Sequence, residues 1–242
     1  MCGRYRIRDT EAVDALTRRL FGIPAWATGP VPPRYNIAPG QDVAALARGS
    51  TGGLVQRTFR WGLIPAWAPP GEPGIRPINA QSETVAAKAM FRHAFAHRRC
   101  LVPADGFYEW QRVDATLRQP FDIHRRDGHP FFLAGIHEEG AHGHPATCAI
   151  LTTRANPAMA RVHGRMPVML QGEAARRWLE PAPLTAAERE QLTAPTPDED
   201  LAFVPVSTAV NRPANDGPEC LTPVVPLETT PSPEDDGQGR LF

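Results

Sequence analysis

Four polar side chains stand where their chemistry can be put to use: Cys2, Asn79, Glu109 and His163. Cys2 directly follows the initiator Met, and loss of Met1 is expected because processing usually trims a Met that precedes a small residue. The mature chain would then begin with an α-amine and a thiol on neighbouring carbons. Their reference pKa values, about 7.7–8.0 and about 8.5, leave both appreciably deprotonated near neutrality. Such a 1,2-aminothiol attacks an aldehyde with nitrogen and closes the imine with sulfur into a thiazolidine ring. The same thiol can attack an acyl carbon with its own amine as base. Asn79 offers an amide just before an expected helix start. Glu109 lies between aromatic residues in Phe107-Tyr108-Glu109-Trp110, where burial would raise its pKa and keep it protonated. His163 sits beside Arg165 in the turn-forming run Val162-His163-Gly164-Arg165-Met166-Pro167. Each also has a plain structural reading: a tolerated second residue, a turn amide, a carboxylate paired with arginine, a loop histidine. Spacing alone does not make the four converge.

The elements that must hold them are short. Asp9 or Thr10 caps a helix through Phe21, with Val13, Leu16 and Leu20 on one face and Gly22 as its stop. Pro and Gly make a loop of residues 24–40, in which Tyr35 and Ile37 are expected to be buried. Strand-like runs follow at Val43–Ala47, Leu54–Trp61, Cys100–Pro103, Phe107–Gln111 and Phe121–His124, then at Phe131–Ile136, Thr147–Thr152 and Phe203–Val206. Ser82 is expected to open a second helix running to His97, and Asn156-Pro157 to cap a short one. Glu173–Leu179 and Ala186–Leu192 read as surface helices. Asp105 in Asp105-Gly106 reads as a turn residue. Many short strands, few helices and no βαβ rhythm predict an α+β fold with a mainly antiparallel, barrel-like β core and flanking helices.

Composition removes several function classes. Lys plus Arg and Asp plus Glu number 26 each, so no global field drives nucleic-acid binding, and phosphate recognition needs a local cluster. Lys88 is the only lysine. Arginine's planar fork suits phosphates, although coding bias explains the excess equally well. Cys2, Cys100, Cys148 and Cys220 are too dispersed for a zinc site, so no metal or cofactor is expected. No apolar run approaches the roughly 20 residues of a membrane span, and charge begins at Arg4, so a cytoplasmic, reduced protein without membrane contact is expected.

Taken together, the motifs resemble the SOS-response-associated peptidase (SRAP) family of abasic-site processing proteins. They are Met1-Cys2-Gly3-Arg4, Arg34-Tyr35-Asn36-Ile37-Ala38-Pro39, Trp61-Gly62-Leu63-Ile64-Pro65 and Ile78-Asn79-Ala80 through Glu83-Thr84. Arg99–Trp110, His163, Arg165-Met166-Pro167 and Val206–Asn211 complete the set. The resemblance covers residues 1 to about 225. It implies a DNA-repair enzyme of the SOS response that crosslinks itself to abasic sites in single-stranded DNA, shielding them from strand breakage. Cys2 would form the thiazolidine, Glu109 donate a proton for sugar opening, His163 move protons during imine formation and reversal, and Asn79 orient the sugar or the reacting N-terminus. A peptidase-like removal of Met1, by the protein itself or by an aminopeptidase, is also implied. Arg4, Arg76, Arg98, Arg99, Arg161 and Arg165 are candidates for the phosphate cluster, and Trp61, Trp67 and Met166-Pro167 for stacking or wedging against bases. Trp110 and Trp178 are assigned to core packing. Gln81 stands where the family usually has Arg, and Gly164 where it often has Asp or Asn.

Residues 1–227 are therefore expected to form one SRAP-like domain, and residues 228–242 a disordered acidic tail. The terminal Gln238-Gly239-Arg240-Leu241-Phe242 is similar to short Gln-x-x-Leu-Phe peptides that bind the bacterial sliding clamp, which makes Gln238, Leu241 and Phe242 expected clamp contacts. Two rival readings differ in class. An N-terminal-Cys glutaminase would use Cys2 against an amide carbon and Asn79 at the oxyanion, but lacks the synthetase domain it would feed. The other is a noncovalent single-strand-binding module.

Overall fold

The computed structural model describes residues 2–29, 31–71 and 74–227. The expected tail, with Gln238, Leu241 and Phe242, lies outside the described residues. Strand β1 (Tyr5–Ile7) leads into α1 (Thr10–Phe21), which Asp9 caps by accepting from Ala12 N and Gly22 ends in the left-handed conformation. There follow β2 (Arg34–Ile37), β3 (Asp42–Arg48), β4 (Leu54–Trp61), β5 (Asn79–Gln81) and α2 (Arg92–His97). Next come β6 (Arg99–Ala104), β7 (Gly106–Arg112), β8 (Arg118–Arg125), β9 (Phe131–Glu138) and β10 (Thr147–Arg154). The chain continues through α3 (Pro157–Ala160), β11 (Arg165–Pro167), β12 (Met169–Leu170), α4 (Gly172–Leu179), α5 (Ala186–Leu192) and β13 (Leu201–Pro205).

The class is α+β, and the core is barrel-like for a specific reason. Strand β10 pairs antiparallel with β9 and parallel with β4, so β4, β3, β6, β9 and β10 close into a ring. A second, wholly antiparallel sheet runs in the order β13-β8-β7-β1-β2. Every residue of β9 is buried, which explains why Phe131–Ile136 reads as an unbroken apolar run. One side fills the barrel; the other packs under helices, where Phe21 meets Phe132 and Trp178 meets Phe95 edge-to-face.

Two expectations change. Residues 82–91 run as turns, and only Arg92–His97 is helical. Ser82 N donates to Thr152 O at 2.9 Å, extending the β5–β10 ladder and tying up the residue that would have opened the helix. The segment 24–40 is not all loop, because Arg34–Ile37 pairs with β1. Ile37 is buried and Tyr35 half-buried.

A buried ionic cluster anchors β1. Arg6 is 2% exposed; its Nε and Nη2 donate to Asp122 at 2.7 and 3.0 Å, and Nη1 donates to Asp105. Asp105 also accepts from Arg8 N and Asp9 N, both at 2.7 Å, so this bend residue is a buried anchor as well. Burial opposes charge on Asp122, but hydrogen bonds from His124 and Arg6 outweigh it and hold the carboxyl below its ordinary value. The Arg6 guanidinium lies flat on Gly106, where a Cβ would stand 2.5 Å from its Cζ. Gly106→Ala is therefore expected to cost about 1–3 kcal/mol of stability, read from the urea midpoint. A midpoint equal to wild type would show that Arg6 can yield.

Candidate functional site

Cys2 enters the core just before β1, which lies between β2 and β7 with Tyr5 opposite both Ile37 and Phe107. It is fully buried in the cluster that includes Tyr5, Trp61, Phe107 and Ile150. Asn79 opens β5, and the parallel pairing Ile150↔Asn79 delivers its amide to the chain start. Its Nδ2 donates to Cys2 O at 2.8 Å, while its Oδ1 is buried with no hydrogen-bond partner among the described residues. Trp61 fixes the approach, since its Nε1 donates to Ile78 O at 2.8 Å.

Glu109 sits on β7 opposite Phe121 and shares a face with Phe107, whereas Tyr108 and Trp110 face the other way. It is 3% exposed. Burial pushes its carboxyl above the ordinary value, and the nearby His163 pulls part of the way back. His163 follows α3, and its Nδ1 lies 3.0 Å from Arg165 N and 3.2 Å from Arg165 O, which fixes the orientation of the ring. Burial, and then the Glu109 charge, push the Cys2 thiol far above its ordinary range. Burial therefore opposes the thiolate that the reference value would partly allow. Cys2, Asn79, Glu109 and His163 thus form one connected cluster: Asn79 touches Cys2, Cys2 lies within electrostatic reach of Glu109, and Glu109 within electrostatic reach of His163.

The expected DNA contacts divide. Trp67 is 66% exposed, Arg76 and Arg161 are exposed, and Arg4 is half-buried with its guanidinium 5.9 Å from the Trp110 ring centroid. The others need correction. Trp61 is 1% exposed and packs edge-to-face on Tyr5, so it has no face for a base. Met166 and Pro167 are buried in β11, which rules out a wedge. Arg165 donates to both oxygens of Glu83 at 2.8 and 2.9 Å and to Thr152 O at 2.7 Å, so its charge clamps the turn after β5. Arg98 pairs with Glu138 through Nη1 and lines a cavity apart from Cys2, and buried Arg99 donates to the carbonyls of Trp178, Phe95 and Ala182. Trp110 was assigned to the core but is half-buried, and its Nε1 donates to Asn211 Oδ1 at 2.7 Å. Asn36 also emerges: its Nδ2 donates to Val210 O, Arg212 O and Asn215 O, tying β2 to the segment that carries Asn211. Only its place inside the Arg34–Pro39 motif hinted at this.

Comparison with known proteins places this geometry. The family model described as SOS response associated peptidase (SRAP) matches residues 1–213. The abasic site processing protein YoqW of Bacillus subtilis is 35% identical over 225 residues, covering 91% of this chain and 99% of that protein. The abasic site processing protein YedK of Escherichia coli is 34% identical over 197 residues, 79% of this chain and 85% of its own. A crystal structure of a Bacteroides thetaiotaomicron protein superposes with a TM-score of 0.77 at 24% identity, covering 93% of this chain and all of its own; it shares the fold.

Proposed function

Since the chain belongs to the SOS response associated peptidase family, we propose that it processes abasic sites in single-stranded DNA by capturing the ring-opened sugar on Cys2. The observation that carries this reading is the single buried cluster in which Cys2, an amide, a carboxyl of raised pKa and an imidazole meet. The names of its relatives point to the same substrate.

An abasic sugar is mostly a closed hemiacetal, and the reactive aldehyde appears when the C1′–O4′ bond breaks. O4′ then gains a proton while the C1′ hydroxyl loses one. A carboxyl whose ionisation burial opposes, as at Glu109, is suited to supply the first. Removal of Met1 frees the Cys2 amine, which adds to C1′ and leaves as an imine with loss of one water; His163 carries the protons between these steps. Asn79 holds Cys2 by its carbonyl, and its unpartnered Oδ1 can receive an N–H of the new amine. Sulfur then bonds to C1′ and the thiol proton passes to nitrogen, so closure is proton-neutral and a thiol held un-ionised suffices. Ring closure removes the imine that would otherwise lead to strand scission, which is how the adduct shields the lesion. A glutaminase would instead need thiolate character, which burial and the Glu109 charge both oppose. Trp67, Arg76, Arg161 and Arg4 are the side chains left to stack on bases and meet phosphates.

Incubating the mature protein with an abasic single-stranded oligonucleotide is expected to give a heat-stable adduct. Mass spectrometry should place it on the N-terminal peptide, heavier by the sugar-bearing strand less one water. A shift that heat abolishes would mean noncovalent binding, and ammonia release from glutamine would revive the rival enzyme.

A further inference from the structure

A second basic cluster lies away from Cys2 and shares no residue with that site. A cavity of about 560 Å³ opens where β3 ends and β6 begins, lined by Arg48, Arg57, Arg98, Arg99, His137 and Glu139 among others. Its size is that of small-molecule sites. The end of β6 that bears Arg99 is opposite the end leading to Asp105, five residue steps or about 17 Å away.

The charges there do not cancel. Arg57 donates to both oxygens of Glu139, and Arg98 pairs with Glu138. Arg48 and Arg99 have no carboxylate within ion-pair distance among the described residues. Both donate instead to carbonyls at the end of α4, Arg48 to Leu179 O at 2.6 Å and Arg99 to Trp178 O at 2.7 Å. A helix C-terminus offsets only about half a charge, and the Glu180 carboxylate that also lines the cavity is itself paired with Arg177, so the cavity keeps a net positive charge. The bland role of these two arginines is to cap α4, and it accounts for Arg99, whose donors are used on carbonyls. It does not account for Arg48 or Arg98, each with only some of its N–H groups engaged. The ring of His137 also lines the cavity. That residue is 3% exposed, stacks on Phe59 with ring centroids 4.6 Å apart, and has an Nδ1 with no hydrogen-bond partner. Glu139 Oε1, at 3.6 Å, is too far to serve.

We propose that this cavity is a phosphate-binding site, in which Arg48 and Arg98 donate to a phosphate group beside the His137 ring. The group is an oxyanion with several acceptors, which matches convergent donors and the guanidinium preference for phosphate. It comes either as a free phosphate or from the backbone of a nucleic acid strand. The site is independent of the Cys2 chemistry, so failure of either reading leaves the other standing.

The test titrates inorganic phosphate into the full chain against sodium chloride of equal ionic strength, following the His137 ring signals by NMR. Phosphate is expected to shift them saturably. Arg48→Gln, at a half-buried position, is expected to weaken binding about tenfold or more, as loss of a charged hydrogen bond would. Because Arg98→Gln alone would strand buried Glu138, the paired change Arg98→Gln with Glu138→Gln is the second variant, with a like loss expected. An undamaged single-stranded oligonucleotide in the same titration identifies the source. If it displaces phosphate, the backbone is the ligand; if it does not, a free anion is. The proposal is overturned if phosphate acts no differently from chloride, or if both variants bind it as wild type does.

Discussion

Cys2→Ala is expected to eliminate the heat-stable adduct with abasic single-stranded DNA yet still to yield an imine that borohydride can trap. The two outcomes separate because alanine keeps the α-amine and removes only the sulfur. Nitrogen can still add to C1′ and lose water, but nothing then closes the ring, and the imine hydrolyses or drives β-elimination. Strand scission in the presence of the variant should therefore rise as the stable adduct disappears. Cys100, Cys148 and Cys220 cannot substitute, because none carries a neighbouring free amine and all are buried. A stable adduct of wild-type yield from Cys2→Ala would remove the thiazolidine mechanism altogether. The substitution is small in volume but lies in a fully buried position, so a melting curve belongs beside the activity gel.

Glu109→Gln is expected to slow crosslinking by about 10²–10⁴-fold, the usual worth of a positioned general acid, and at the same time to make the protein relatively more stable as pH rises. Burial, opposed in part by His163, raises the Glu109 carboxyl above 4.5 in the folded state. A raised folded value means that its contribution to stability is complete below the unfolded value and is lost as pH rises through the folded one. Glutamine does not ionise and so avoids that loss. The melting temperatures of variant and wild type should thus diverge from about pH 4.5 upward, in favour of the variant. The wild-type rate should fall as pH rises through the same titration, and that limb should vanish in the variant. Should Glu109→Gln crosslink at the wild-type rate, the carboxyl is a structural group and the acid must be sought elsewhere. Opposite signs for stability and activity mark a group kept buried for its chemistry.

Local sequence rules located several elements well and failed on others for definable reasons. Helix α1 was legible because its signals are local: Asp9 at one end, Gly22 at the other, three apolar residues on one face. Strand β4 was legible to the residue, Leu54–Trp61. Strands β1, β5 and β12 have three residues or fewer, too short for alternation to register, and exist because longer strands present an edge to pair with. The expected helix from Ser82 lost to such an edge, since β10 claims Ser82 N.

What the sequence determined by itself is which chemistry is at hand. An aminothiol requires cysteine at the chain start, and the order of the motifs through residue 213 is enough to assign the family. Convergence belongs to the tertiary structure, which brings together Cys2 and Asn79 across 77 positions and encloses Glu109 with His163. So does the fate of the arginines. By type they were all phosphate ligands; by environment Arg99 caps a helix, Arg165 clamps a turn, and Arg6, never a candidate, anchors the strand behind Cys2. The physical reason is common to all of them. Residue type fixes the donors and charges a side chain can offer, whereas its pKa and its partner depend on the solvent it loses and the groups it meets. Those come from distant strands, as the Cys2 thiol shows: partly ionised by its reference value, and pushed toward the un-ionised form by the barrel that closes around it.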